Sequence, residues 1–336
     1  MLKKIMAVIV GLGVSASAFA APLLINGAGA TFPYPIYSKW FDVYSKTNPD
    51  ARFNYQSIGS GGGIKQITSG TVDFGATDGP MTDQQLAEAP GRLFHIPMVM
   101  GSVALAYNLP GVSGELKLSP DVIAGIYLGY ITKWNDAKIT AENPGMALPE
   151  LPITVARRSD GSGTTFIFVD YLCSVSGEWK LKVGKGTSVN WPVGLGGKGN
   201  EGVAGIVKQT PGSIGYTELS YAIKNNLSYA SVKNKAGSFI LPSIESTSKA
   251  AAGVAIPSDF RVSIVNSANP EAYPISGFTW LLIYKNQKDS VKGKMIVDFI
   301  KWAVHEGQSY APELLYAPLP QDVVAMIDKK LGEVKY

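Results

Sequence analysis

Cysteine and histidine are nearly missing from this chain of 336 residues, which holds one cysteine, Cys173, and two histidines, His95 and His305. A single cysteine leaves no internal disulfide. It stands in the apolar run Phe166 to Val175, where a thiol reads as a small buried hydrophobe rather than a nucleophile. The two histidines lie far apart in the chain, so a zinc cluster, a Cys–His pair or a Ser–His pair has little material. Long apolar runs are scarce as well. The best one, Ile96 to Tyr107, falls short of the ~20 residues a membrane span needs and carries Gly101 and Ser102. It reads as a buried strand. Blocks of one charge are also lacking. The net charge is +4 and the basic residues are scattered. Their densest stretch, Lys285 to Lys301, reads as the solvated face of a helix and not as a nucleic-acid patch. A mildly basic balance is compatible with an anionic ligand without requiring one. The sequence has no internal repeat and no G-x-x-x-x-G-K-[ST] loop, and no G-x-S-x-G elbow surrounds Ser60 or Ser162.

The first residues carry a different pattern. Lys3 and Lys4 precede an apolar stretch, Ile5 to Val14, and Ala18-Phe19-Ala20 fits a small-x-small cleavage site. This predicts a cleaved secretory signal peptide over residues 1–20. An uncleaved anchor is the rival, and the apolar run is too short for it. A lipid anchor would need cysteine at the new N-terminus, where Ala21 stands. The expectation is a soluble, exported protein that is not embedded in a membrane.

The remainder alternates between strand-like and helical patterns. Strands are expected over Leu23–Asn26, Arg52–Gln56, Val72–Ala76, Ile153–Ala156 and Ser213–Thr217. Helices are expected over Pro35–Lys46, Gly63–Thr68, Gln84–Ala89, Thr164–Ser174 and Glu201–Gln209. The alternation argues for an α/β fold, with sheets flanked by helices. The chain is long enough for two lobes. Pro97–Ser102 and Asn269–Gly277 are candidate crossovers, and residues 233–269, weakly periodic, read as a decorated surface segment.

Three glycine-rich turns each precede a helical pattern: Gly27-Ala28-Gly29-Ala30-Thr31-Phe32-Pro33, Gly59-Ser60-Gly61-Gly62-Gly63 and Asp160-Gly161-Ser162-Gly163-Thr164-Thr165. A helix start has free N–H groups and a partial positive charge, and glycine lets that backbone approach a ligand. One such turn is an ordinary cap; three together point to an anion. Arg157-Arg158-Ser159-Asp160 precedes the third turn at the end of a strand, where ligands bind in open α/β sheets. A guanidinium fork suits a tetrahedral oxyanion. Strand alternation puts the two arginines on opposite sides, and Arg158 is the one expected in the site. The bland reading is a surface Arg–Asp pair. Asp73 and Asp78 flank the third strand. An ionised carboxylate can only accept hydrogen bonds, so near an anion it favours a ligand that brings a proton. The competing reading makes Asp78 the N-cap of the following helix.

Other patterns are weaker. Gly194-Leu195-Gly196-Gly197-Lys198-Gly199 has dinucleotide spacing but follows Trp191-Pro192 rather than a strand. Tyr127, Tyr130 and Trp134 read as core or lobe-edge packing.

Taken together with Tyr55-Gln56-Ser57-Ile58, Val72-Asp73-Phe74-Gly75-Ala76-Thr77-Asp78 and Asn200, these motifs make the chain resemble the periplasmic phosphate-binding proteins that serve ABC-type phosphate importers. The resemblance runs over nearly the whole mature chain. Thr77, Gly79 and Ser159 stand where that family often has other small residues, and Gly61 where it often has serine. The resemblance implies a two-lobed periplasmic binding protein fold of type II, each lobe a mixed sheet flanked by helices, with a cleft between. It implies one lobe from residues 21–98 and 270–336 and a second from 99–269. It implies phosphate contacts from Thr31, Phe32, Ser60 and Asp78 on one side and from Arg158, Ser162, Gly163 and Thr164 on the other, with Asp160 supporting Arg158. The partners implied are inorganic phosphate and the membrane subunits of an importer, with a monomeric protein and no metal or organic cofactor. The alternatives are a receptor for another oxyanion such as sulfate or molybdate, a periplasmic phosphatase or phosphotransferase, and an adhesin that kept the fold.

Overall fold

The computed structural model describes residues 22–336, and the expected signal peptide lies outside them. The chain opens with β1 (Leu23–Gly29), α1 (Tyr34–Thr47), β2 (Ala51–Ser57), α2 (Ser60–Thr68), β3 (Phe74–Thr77), α3 (Asp83–Glu88) and the long β4 (Leu93–Tyr107). It continues with β5 (Lys117–Leu118), α4 (Pro120–Tyr127), α5 (Ala137–Glu142), β6 (Thr154–Arg158), α6 (Gly163–Val175) and α7 (Gly177–Lys182). Then come β7 (Leu195–Gly197), α8 (Gly199–Gln209), β8 (Ser213–Glu218), α9 (Leu219–Lys224), β9 (Ser228–Tyr229), β10 (Ser231–Lys233), β11 (Phe239–Ile240) and α10 (Ile244–Ala251). The chain ends with β12 (Ser276–Tyr284), α11 (Ser290–Val304) and α12 (Gln321–Leu331).

One sheet runs in the order β2-β1-β3-β12-β4-β8-β6-β7, and β4 joins its halves. Every residue of β4 is buried. From Leu93 to Ser102 it pairs antiparallel with β12, and from Val103 to Tyr107 with β8. Within each half the neighbouring βα units are parallel: β1 beside β2 and β3, β6 beside β7 and β8. Parallel strands point their carboxyl ends the same way, so the loops after β1, β3 and β6 gather at sheet ends. The result is the α/β fold expected from the alternation, in the two-lobed form that the resemblance implies.

Each half has its own aromatic core. In the first, Phe41, Phe53, Phe74 and Phe299 pack with ring centroids 4.6 to 6.3 Å apart. In the second, Tyr127, Phe168, Trp191 and Tyr216 pack at 4.6 to 6.5 Å. Full burial of such rings is worth ~1.5–3 kcal/mol each; all but Phe53 and Trp191 are buried, and both sets belong to one continuous buried cluster.

Several local expectations change. Thr82, not Asp78, caps α3: its hydroxyl accepts the Gln85 amide, and the Gln85 side chain accepts the Thr82 amide. Residues 233–269 are more than surface decoration. Phe260 and Ile264 are buried, the Phe260 carbonyl accepts the Trp280 indole N–H, and Arg261 donates to Met81 C=O and Asp83. Ser263 donates to Asp170 of α6, so this stretch straps the two halves together. Tyr127 and Trp134 are core, whereas Tyr130 is exposed. Cys173 is half-buried rather than buried. The dinucleotide-like spacing contains a strand of its own, β7, before α8.

Candidate anion-binding site

The first glycine turn leaves β1 and enters α1 through Pro33. The carbonyls of this turn are taken by tyrosines from elsewhere: Tyr55 O–H donates to Ala30 C=O (2.7 Å), Tyr221 to Thr31 C=O (2.6 Å) and Tyr316 to Phe32 C=O (2.6 Å). With its oxygens tied back, the turn has N–H groups left to offer. Ser60 is the first residue of α2 and fully buried; its hydroxyl accepts the Asp78 amide at 3.2 Å. Ser162 caps α6 by accepting the Thr165 amide at 3.0 Å.

Arg158 ends β6 and its side chain is 1% exposed. Nε donates to Asp160 Oδ1 (2.7 Å), Nη2 to Asp160 Oδ2 (2.5 Å) and Nη1 to Thr164 Oγ1 (3.3 Å). Burial pushes the Asp160 carboxyl up, but the Arg158 hydrogen bonds and charge, with the Gly199 N–H, outweigh it and hold it below the usual range. This fork–fork pair fixes the guanidinium plane. Arg157, on the other face of the strand, is half-buried and turns back to the Arg158 carbonyl.

Asp78 follows β3 and is 1% exposed. Oδ1 accepts the Thr279 hydroxyl at 2.8 Å; Oδ2 is buried with no hydrogen-bond partner among the described residues. Burial pushes this carboxyl up to about 7, against the opposing pull of Thr279, Arg158 and Ser60. The α6 start faces it directly: a Cβ on Gly163 would sit 2.5 Å from both Asp78 Oδ2 and Ser60 Oγ. Asp73, by contrast, sits at the other end of β3, where it takes the Asn26 amide and Lys292.

Thr31, Ser60, Asp78, Arg158, Ser162, Gly163 and Thr164 are thus drawn together. The two halves meet there. Gly61 N–H donates to Gly161 C=O at 2.9 Å, and a Cβ on Gly61 would lie 3.1 Å from Gly161 Cα. Asn200 reaches from α8 to Thr31. The donor-rich rim and the unpartnered Asp78 Oδ2 suit a small oxyanion that carries a proton. Among the described residues no group of three His, Cys, Asp or Glu side chains is placed to hold a metal.

Four participants were not foreseen: Thr279, Tyr221, Tyr316 and Glu218. Thr279 had a faint signal, a lone hydroxyl between Phe278 and Trp280 in an apolar strand. Glu218 is fully buried beside Tyr316; its Oε2 accepts from Ser220 and lies 3.2 Å from the Tyr316 hydroxyl, and burial pushes it up to about 8. A protonated Glu218 can donate to Tyr316 and so leave the phenolic hydrogen to Phe32 C=O.

The sequence matches the PBP superfamily domain over residues 16–306. It is 47% identical over 307 residues to the phosphate-binding protein PstS of Xylella fastidiosa, covering 90% of this chain and 84% of that one. It is 46% identical over 312 residues to the protein of the same name in Haemophilus influenzae, covering 92% of each. Among solved structures, a phosphate-binding protein from Stenotrophomonas maltophilia superposes with a TM-score of 0.70 at 20% identity, over 92% of this chain and 93% of that one, which supports the fold.

Proposed function

The chain belongs to the PBP superfamily, in the family of phosphate-binding proteins, and on that premise we propose that it binds inorganic phosphate between its lobes and delivers it to an ABC-type importer. The observation that carries this reading is the unpartnered Asp78 Oδ2 set against the donor start of α6. Thr31 and Phe32, Ser60 and Asp78 are the contacts from the lobe of residues 21–98 and 270–336. Arg158, Ser162, Gly163 and Thr164 are those from the lobe of 99–269, with Asp160 orienting Arg158. Asp78 accepts the phosphate proton, which fully ionised sulfate cannot supply; leaving a buried acceptor unpaired costs ~1–3 kcal/mol, more when it is charged.

We read the site as one of binding without turnover: Ser60 and Ser162 each accept a backbone amide, and neither is hydrogen-bonded to a histidine or lysine among the described residues. None of the described helices is long and apolar enough to cross a membrane. The leader expected over residues 1–20 supports export to the periplasm.

Calorimetry on protein stripped of carried-over phosphate tests the reading. Wild type binds phosphate tightly, and Arg158→Ala loses roughly 100-fold or more, because charge-assisted hydrogen bonds are worth ~1.5–3 kcal/mol each. Equal affinity in the two proteins removes Arg158 from the site, and steady release of phosphate from a phosphate ester makes the protein an enzyme instead.

A further inference from the structure

Asn200 is fully buried near the start of α8. Its Oδ1 accepts the Thr217 hydroxyl at 3.2 Å and the Glu218 amide at 3.1 Å. Those two donors fix which way the side-chain amide points: Nδ2 faces the site. Nδ2 carries two hydrogens. One goes to Thr31 Oγ1 at 2.8 Å and the other to Thr164 Oγ1 at 3.1 Å. Each threonine oxygen then receives a second donor. For Thr31 it is the Asn200 backbone N–H at 3.2 Å, and for Thr164 it is Arg158 Nη1 at 3.3 Å. A hydroxyl has two lone pairs and one hydrogen. At both threonines the lone pairs are filled, so only the hydrogens remain to be offered.

We propose that Asn200 is a positioning residue that sets the donor sense of the site: it compels Thr31 and Thr164, from opposite lobes, to present O–H hydrogens to the anion. This deepens the phosphate reading and rests on it. It also couples donor sense to closure. The Asn200–Thr31 bonds join parts of the chain 169 residues apart across the cleft, so the full set of donors exists only when the lobes meet. A freely rotating hydroxyl accepts as readily as it donates, and the anion would bear the ordering of each one.

The test is a double-mutant cycle read by calorimetry with inorganic phosphate. Asn200→Ala weakens binding roughly 30-fold in the wild-type background, the worth of two hydrogen bonds. In a Thr31→Val/Thr164→Val background the same change costs about threefold or less, because the hydroxyls through which Asn200 acts are gone. An equal loss in both backgrounds overturns the proposal, since a general structural role would be additive. Should Asn200→Ala melt far below wild type, Asn200→Asp keeps the shape and takes its place. Its carboxylate accepts from both hydroxyls and turns their hydrogens away, so it binds phosphate more weakly than wild type, and the deficit shrinks in the double-valine background. An undiminished deficit there, or wild-type affinity for Asn200→Asp, counts against it. A wild-type protein that ignores phosphate sinks the functional reading itself, whereas a binding wild type with an additive cycle sinks only this inference.

Discussion

Asp78 carries the unusual chemistry at the scale of single residues. Most carboxylates gain partners on folding and titrate low; this one is buried with one oxygen tied to Thr279 and the other free, and is pushed up from 3.8 to about 7. Glu218, pushed up to about 8, behaves alike. In both cases the folded state holds the proton more firmly than the unfolded state. Their contribution to stability is therefore complete below about pH 4 and is lost as pH rises through about 7 for Asp78 and about 8 for Glu218. The fall attributable to Asp78 is of the order of 4 kcal/mol at most, at 1.36 kcal/mol per unit. Melting of the stripped protein from pH 5 to 9 should show a declining Tm. Asp78→Asn and Glu218→Gln should each flatten part of that decline. A pH profile identical to wild type in both variants contradicts the assigned environments.

At the scale of elements, the helix starts of α1, α2 and α6 do what backbone chemistry dictates, and this is why they were legible in the sequence. Glycine followed by a small hydroxyl is a local signal: α6 starts within a residue of expectation, with Ser162 as its cap, whereas α2 starts at Ser60, three residues ahead of the expected Gly63. The end of β6 was legible for the same reason, since strand alternation alone separates Arg158 from Arg157. What could not be read is what depends on distant chain segments. Thr279 meets Asp78 across 201 residues, and Tyr316 meets Phe32 across 284. No local pattern encodes such pairs. The strap through Phe260 reads as surface in the sequence because its ties, such as the Trp280 indole N–H to the Phe260 carbonyl, are to other segments and leave no periodicity of its own. Gly61 offers the test at this scale. It lies in the first turn of α2, where its backbone passes Gly161 of the other half. Gly61→Val should leave Tm within a few degrees yet weaken phosphate binding at least tenfold, because the branched side chain meets Gly161 Cα before the lobes close. Wild-type affinity in that variant would mean the closed contact is dispensable.

At the scale of the whole molecule, each half has its own aromatic cluster, and β4 and the stretch through Phe260 and Ser263 join the two. The aromatic contacts lie within each half, so parting the lobes would leave those contacts in place. On the proposed reading, ligand groups from both sides favour the closed arrangement by as much as they bind it better than the open one. Small-angle scattering on stripped protein, titrated with phosphate and then with sulfate at matched concentrations, reads closure and selectivity at once. The account predicts contraction with phosphate and none with sulfate in wild type, and contraction with sulfate as well in Asp78→Asn, whose amide can donate to a fully ionised anion. Equal contraction of wild type by both ions, or by neither, would contradict it.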